Sequence, residues 1–116
     1  PNSMSLIVKW LLSAIAVMIT AYLLPGVSVA SFWAALVVAV ILALFNAVLK
    51  PILVILTIPI TILTFGLFLL VINAIIILMT DALIAGFAVS NFWWAIAFSL
   101  IMAVLGSLFN DIAERV

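Results

Sequence analysis

Four long apolar runs, separated by short polar or proline-containing stretches, dominate the chain. They cover residues 6–24, 32–50, 66–84 and 92–110. A helix of about 19 residues spans roughly 28 Å, which matches the hydrocarbon core of a bilayer. The runs lack the period-two alternation of barrel strands, and a helix satisfies its own backbone polar groups in lipid. The pattern predicts an all-α membrane protein with four transmembrane helices.

The second half of the chain repeats the first. At an offset of 60 residues, a Gly-x-x-Val-x-x-Phe-Trp segment at 26–33 matches the same segment at 86–93. Leu-Phe-Asn at 44–46 recurs at 108–110, displaced from that offset by about one helical turn. We predict a single membrane domain, residues 4–116. Its two tandem-repeated hairpins cover about 6–50 and 66–110, with a linker at 51–65.

Each predicted hairpin has a turn of similar chemistry. Gly26 and Gly86 are expected to adopt the left-handed conformation that ends a helix. Ser31 and Asn91 are suitable N-caps for the helices that follow.

Aromatic residues cluster beside these turns, where a belt at the headgroup level is expected. We interpret them as interface anchors, with a ligand site built from aromatic rings as the alternative. The set is Trp10, Phe32, Trp33, Phe92, Trp93 and Trp94.

The linker is uncharged and a little short for a spanning helix. It begins at Pro51, and Pro59 removes a backbone hydrogen bond near its middle. We therefore expect a broken segment that is re-entrant or interfacial. If the linker is helical, Thr57, Thr61 and Thr64 share one face. Their hydroxyls are expected to satisfy carbonyls freed by Pro59, and a substrate-lining stripe is the alternative.

Charge is scarce and balanced: 72% of residues are hydrophobic, 5% are charged and the formal net charge is +0. This composition predicts lipid as the main surroundings and excludes a basic nucleic-acid surface. Lys9, Lys50 and Arg115 lie at the termini or before the linker, and the Gly-containing turns carry no cation. The positive-inside rule then predicts cytoplasmic termini, a cytoplasmic linker and parallel repeats.

Three polar residues interrupt the apolar runs and form the candidate intramembrane site. Asn46 and Asn73 lie at similar predicted depths, so we expect an interhelical hydrogen bond, with lining of a pore or cavity as the alternative. Asp81 is the acid within an apolar run. It is expected to reach water or to pair with an amide such as that of Asn91, and a proton or cation site is the alternative.

Small residues recur every four positions at Ala35, Ala39 and Ala43, and at Ala95, Ser99 and Ala103. Such stripes allow close helix packing, either within the bundle or between subunits of a homo-oligomer. The chain has no Cys and no His, and we find no catalytic constellation, metal-ligand cluster or cofactor motif. The sequence therefore predicts a protein that is not an enzyme and needs no cofactor.

Four segments resemble a known family. They are Leu-Leu-Pro-Gly-Val at 23–27, Ser-Phe-Trp at 31–33, Phe-Asn-Ala-Val-Leu-Lys-Pro-Ile-Leu at 45–53, and Leu-Thr-Ile-Pro-Ile-Thr-Ile-Leu-Thr-Phe-Gly-Leu-Phe at 56–68. They resemble the small four-helix proteins of phage holin superfamily IV, the YvlD-like group. The resemblance implies a bacterial inner-membrane protein with a basic residue, here Lys50, before the linker proline. Where the first turn has Pro25, the second has Ala85.

Two functional hypotheses follow from these observations. The first is a non-enzymatic, oligomeric membrane protein with a holin-like or envelope-maintenance role. The second is a small channel or transporter that uses Asn46, Asn73 and Asp81, for an unknown ion or small molecule.

Overall fold

The computed structural model describes residues 3–115, which form six α-helices and two short strands. The order is α1 (Ser3–Leu23), β1 (Val27–Val29), α2 (Phe32–Leu44), a π-helical segment (Phe45–Leu49), α3 (Lys50–Leu56), α4 (Ile58–Leu63), α5 (Phe68–Leu83), β2 (Phe87–Val89) and α6 (Phe92–Glu114). Three helical rods are long and apolar enough to cross a membrane: Ser3–Leu23, Phe32–Leu56 and Phe92–Glu114. The fourth, Phe68–Leu83, has 16 residues.

The two Gly-containing turns pair with each other. Strands β1 and β2 are antiparallel, and Ser28 lies opposite Ala88. Outside the strands, the amide of Ala30 donates to the carbonyl of Gly86, and the amide of Ser90 donates to the carbonyl of Gly26, each at 2.8 Å. The two bonds are equivalent under the repeat, because both the donors and the acceptors are 60 residues apart. Both turns therefore lie at the same end of the helices.

Strand pairing sets the directions of the helices. Helices α1 and α5 both run toward the strand pair, and α2 and α6 run away from it. Helix α1 packs against α2 and α6, and α5 packs against α6 and less extensively against α2 and α3. At the end opposite the strands, the Ser5 hydroxyl donates to the Ala113 carbonyl at 3.3 Å.

Residues sixty positions apart occupy equivalent places in the core. Thr20 and Thr80 are fully buried, and their hydroxyls donate to the carbonyls of Ala16 and Ile76 at 2.7 and 2.9 Å. A Thr side chain thus enters the core without leaving a polar atom unsatisfied. Other buried pairs at this offset are Ala14 and Ala74, Val17 and Ile77, Val27 and Phe87, Ala35 and Ala95, and Val38 and Phe98.

The predicted N-caps are confirmed, whereas the prediction for the glycines is wrong. Ser31 accepts a hydrogen bond from the amide of Ala34 at 3.2 Å, and Asn91 accepts one from the amide of Trp94 at 3.0 Å. Neither Gly26 nor Gly86 has a positive φ. Glycine is required there by close packing instead. A Cβ on Gly26 would overlap the Trp94 indole ring, and one on Gly86 would lie 3.0 Å from Ala34 Cβ.

The second rod continues beyond the predicted boundary at residue 50. The π-helical segment, in which the Lys50 amide donates to the Phe45 carbonyl, joins α2 to α3. Pro51 lies in the first turn of α3, immediately after this widened turn. A π-helical turn changes the hydrogen-bond register, so the proline is accommodated where the ladder is already altered. The helix therefore extends to Leu56.

The break in the linker lies at Thr57, two residues before the predicted position. Thr57 has φ −109° and ψ 15°, and Pro59 occupies the first turn of α4, where its missing N–H has no cost. Helix α4 ends at two left-handed residues, Phe65 with φ 55° and Gly66 with φ 87°. The Gly66 amide then donates to the Thr61 carbonyl at 2.8 Å, as in a Schellman ending.

The contact between Gly26 and Trp94 yields a stability prediction. Gly26→Ala should lower the free energy of unfolding in detergent by about 1–3 kcal/mol, because the indole ring must move. Gly106→Ala is the matched control, since nothing lies within 4 Å of a Cβ there. Thermal unfolding followed by circular dichroism measures both. In a Trp94→Ala background the Gly26→Ala penalty should largely disappear. Equal stability of Gly26→Ala and Gly106→Ala would contradict the packing described.

Candidate functional site

A cavity of about 290 Å³ lies between the hairpins, farther from the strands than the buried core. It is lined by α1, α2, the π-helical segment, α3, α5 and α6. The lining residues are Ser13, Ala39, Leu42, Ala43, Asn46, Lys50, Asn73, Ile76, Ile77, Ser99, Met102 and Ala103. We call this space the central cavity. Asn46, Ala43 and Ala103 are exposed, so the cavity is open rather than sealed.

Many of the lining residues occupy equivalent positions in the two repeats. Four lining pairs are separated by 60 residues, namely Ser13 and Asn73, Ala39 and Ser99, Leu42 and Met102, and Ala43 and Ala103. Equivalent faces of the two hairpins therefore meet around the cavity. The small-residue stripes start inside the bundle, where Ala35 and Ala95 are fully buried, and end at Ala43 and Ala103, which are exposed at the open part of the cavity. Small side chains leave open the volume that larger residues would fill.

Polar groups reach the cavity from different helical segments. Asn46 lies in the π-helical segment and Asn73 lies in α5. The expected hydrogen bond between them is absent among the described residues, although both line the central cavity. Ser99 is satisfied within its own helix, since its hydroxyl donates to the Ile96 carbonyl at 2.9 Å. The two amide side chains therefore remain available to water or a ligand.

Lysine supplies the charge of this region. Lys50 lines the central cavity, and no acidic residue does so within the part of the chain described. A smaller cavity of about 150 Å³ shares Ser13 and Met102 with it and is bordered by Lys9 and Asn110. The surroundings of both cavities thus carry positive charge and amide groups.

Asp81 lies elsewhere. Its carboxylate accepts a hydrogen bond from the amide of Val89 at 3.2 Å, which links α5 to β2. It does not line the central cavity. Eight residues of helix, or about 12 Å, separate it from Asn73. Asn91, the partner considered for Asp81, caps α6 instead. The structure therefore brings Asn46 and Asn73 together and leaves Asp81 at the strand end.

The linker threonines have different partners. Thr57 donates to the Leu53 carbonyl at 2.8 Å, and Thr64 donates to the Ile60 carbonyl at 3.0 Å while accepting from the Phe68 amide at 3.1 Å. These hydroxyls donate to carbonyls near the ends of α3 and α4. Pro59 frees no helix carbonyl for them to satisfy, because it lies in the first turn of α4. Thr61 Oγ1 is buried without a hydrogen-bond partner. None of the three lines the central cavity.

The predicted interface anchors divide into exposed and packed rings. Trp33 and Trp93 are 75% and 73% exposed, as residues facing a headgroup layer would be. Each forms an edge-to-face pair with the preceding phenylalanine, Phe32 or Phe92. Trp94 is half-buried over Gly26. The Trp10 indole N–H donates to the Leu36 carbonyl at 3.0 Å and joins α1 to α2.

Sequence reasoning missed three polar lining residues: Ser13, Lys50 and Ser99. A signal for Ser13 was present, because it is the equivalent of Asn73 at the offset of 60. Ser99 was recognised only as a packing residue, and Lys50 only as an interface charge. The continuation of the helix beyond Lys50 changes its role, since the residue then lies within an apolar rod.

Comparisons with known proteins place the chain in context. Residues 4–108 match the family model described as "Mycobacterial 4 TMS phage holin, superfamily IV". The chain is similar to "Uncharacterized membrane protein YvlD" of Bacillus subtilis (strain 168), with 37% identity over 84% of this chain and 86% of that protein. It is also similar to "Uncharacterized protein SCO3922" of Streptomyces coelicolor, with 43% identity over 65% of this chain and 63% of that protein. No solved structure gives a significant match. The expected resemblance is confirmed, and the chain is a membrane protein.

Proposed function

The chain belongs to the phage holin superfamily IV family of proteins with four transmembrane segments, and we propose that it is a small, non-enzymatic channel or transporter. The observation that carries this proposal is the central cavity. Its lining combines lysine, amide and hydroxyl groups within an otherwise apolar bundle. Polar residues at membrane depth are costly to bury and are typical of solute pathways.

The proposed working site is narrower than the one considered from sequence. It contains Asn46, Asn73 and Lys50, with Asp81 excluded because its hydrogen bond to Val89 gives it a structural task. The exposed lining of Asn46 and Ala43 supports access from the end that carries Lys50. A bundle that opens toward one end only would resemble one state of an alternating-access cycle.

A second candidate function is holin-like lesion formation or envelope maintenance by a homo-oligomer, and family membership favours it. The buried members of the small-residue stripes, Ala35, Ala39 and Ala95, pack within the bundle, whereas Ala43 and Ala103 are exposed and remain open to an intersubunit contact. Controlled expression with uptake of a membrane-impermeant DNA dye tests this candidate. Dye entry at high expression is its expected result, and an intact barrier would remove it.

We further propose two tandem hairpins in parallel, with both termini and the linker on the cytoplasmic side of the inner membrane. The common direction of α1 and α5 supports this arrangement. Residues 57–67 connect the end of α3 to the start of α5, which packs against α3, so the chain reverses direction at the end of the bundle opposite the strands. In this segment Leu63 and Phe65 are 79% and 97% exposed. Such apolar exposure suits a linker that lies in the interface or re-enters the membrane.

Solute flux should depend on the cavity and not on Asp81. We expect Asn73→Leu and Ala43→Phe to reduce flux several-fold in proteoliposomes, because one removes a polar lining group and the other fills the space. Asp81→Asn, which keeps an acceptor oxygen, should retain wild-type flux. Stopped-flow light scattering with a panel of small neutral and charged solutes measures these rates. Equal rates in wild type, Asn73→Leu and empty liposomes for every solute would refute the proposed channel.

Sidedness has its own prediction, since the chain has no Cys to interfere. Single cysteines at the exposed positions Ser3, Ser28, Phe65 and Ser90 are tested with a membrane-impermeant maleimide. Ser28→Cys and Ser90→Cys should label from outside intact spheroplasts. Ser3→Cys and Phe65→Cys should label only after the membrane is opened. Labelling of positions 28 and 90 from opposite sides would contradict the parallel arrangement.

A further inference from the structure

Lys50 occupies an unusual position for a cation. Helix α3 continues from Lys50 to Leu56, which adds about 9 Å of helix after the lysine. Ile55 and Leu56 on that final turn are 66% and 72% exposed, as lipid-facing residues would be. Lys50 itself is half-buried and lines the central cavity. Lys50 is about 27 Å of helix from Phe32, so it lies near the edge of the apolar band, with its side chain lining the central cavity.

Among residues 3–115, no acidic side chain lines the central cavity beside Lys50. The smaller cavity likewise has no acidic residue in its lining over this range. Asp81 is engaged with Val89 at the strand end, while Asp111 and Glu114 lie exposed in the last turns of α6. A half-buried cation is stabilised when an anion or water accompanies it. The bundle thus provides a charged cavity that lacks its own counter-ion.

The other polar groups in the lining are suited to bind oxygen atoms. Asn46 and Asn73 each offer two N–H donors, the Ser13 hydroxyl offers one, and an ammonium offers three. These donors come from four elements around one space. An anion with several acceptor oxygens can bridge them, and charge-assisted bonds of this kind are among the strongest in proteins.

Size limits the ligand. A volume of about 290 Å³ holds roughly ten water molecules at their liquid volume. The walls formed by Leu42, Ile76 and Met102 leave room for a short apolar portion beside the polar one. The cavity therefore suits a single carboxylate or phosphate group with a small apolar portion beside it.

We propose that the central cavity binds a small oxyanion, a carboxylate or phosphate group, with Lys50 as counter-ion and Asn46 and Asn73 as hydrogen-bond donors. This inference rests on the proposed function of the cavity and names its ligand class. The oxyanion comes either from a free solute or from a phospholipid headgroup that enters the cavity. Both sources present the same chemistry to Lys50.

Binding to the purified full chain tests the proposal without any transport step. Isothermal titration in neutral detergent with inorganic phosphate and with acetate probes the free-solute source. Native mass spectrometry in nanodiscs of phosphatidylglycerol or phosphatidylcholine probes the lipid source. Saturable binding of either free anion, or selective retention of phosphatidylglycerol, is the expected result. The arm that gives binding identifies the source.

Matched charge variants locate the site. Lys50→Gln should weaken oxyanion binding by about ten-fold or more, because a charge-assisted hydrogen bond is lost. Arg115→Gln removes the same charge from an exposed terminus and should bind as wild type. Lys50→Arg should retain most of the affinity, and Asn73→Leu should weaken it. Circular dichroism and size-exclusion elution confirm that each variant is folded, so a loss of binding is not mistaken for unfolding.

Several results would overturn the inference. One is the absence of saturable oxyanion binding by folded wild type in both arms. Another is an equal affinity of Lys50→Gln and Arg115→Gln. Flux of neutral solutes without oxyanion binding would remove this inference and leave the proposed channel. Binding without flux would remove the channel and leave the oxyanion site.

Discussion

The backbone amides and carbonyls of the two Gly-containing turns have to be satisfied, and the turns satisfy them by pairing with each other. Gly26 accepts from Ser90, and Gly86 accepts from Ala30. Val27, Phe87 and Val89 are buried, and an unpaired backbone group at such positions is destabilising, so a short strand pair is an effective closure for two adjacent hairpins. The pairing sets the two hairpins side by side, gives α1 and α5 the same direction, and brings equivalent faces of the hairpins together around one space.

The space between the two hairpins is packed by large side chains near the strands and by small ones farther away. Near the strands, Phe87 and Phe98 pack edge to face at a centroid distance of 5.5 Å and exclude solvent. Farther from the strands, alanine and serine replace the large residues, and the π-helical segment carries Asn46 to the cavity. A π-helical turn inside a rod is commonly associated with functional sites. Here it allows the helix to continue through Pro51, and it places the Asn46 side chain at the opening of the central cavity.

Local signals predicted much of this arrangement, and long-range contacts decided the rest. Ser31 and Asn91 were recognised as caps because an N-cap depends on residues within one turn. The glycine conformations were mispredicted because their cause lies far along the chain, in Trp94 and Ala34. Strands of three residues carry too little pattern to detect. The end of the second rod was placed too early because the linker was taken to begin at Pro51, although a preceding π-helical turn accommodates that proline within the helix.

A disulfide across the strand pair tests the central claim most directly. Ser28 and Ala88 are directly opposed, and antiparallel partners have Cα atoms about 4.5–5.5 Å apart, within the range that a disulfide spans. In membranes treated with a mild oxidant, the double variant Ser28→Cys, Ala88→Cys should form an intramolecular disulfide. It is detected after cleavage of an introduced protease site in the linker. Ser28→Cys with Phe65→Cys should remain unlinked, because Phe65 lies in the linker at the opposite end of the bundle. A disulfide between positions 28 and 65, with none between 28 and 88, would contradict the paired turns and the cavity that depends on them.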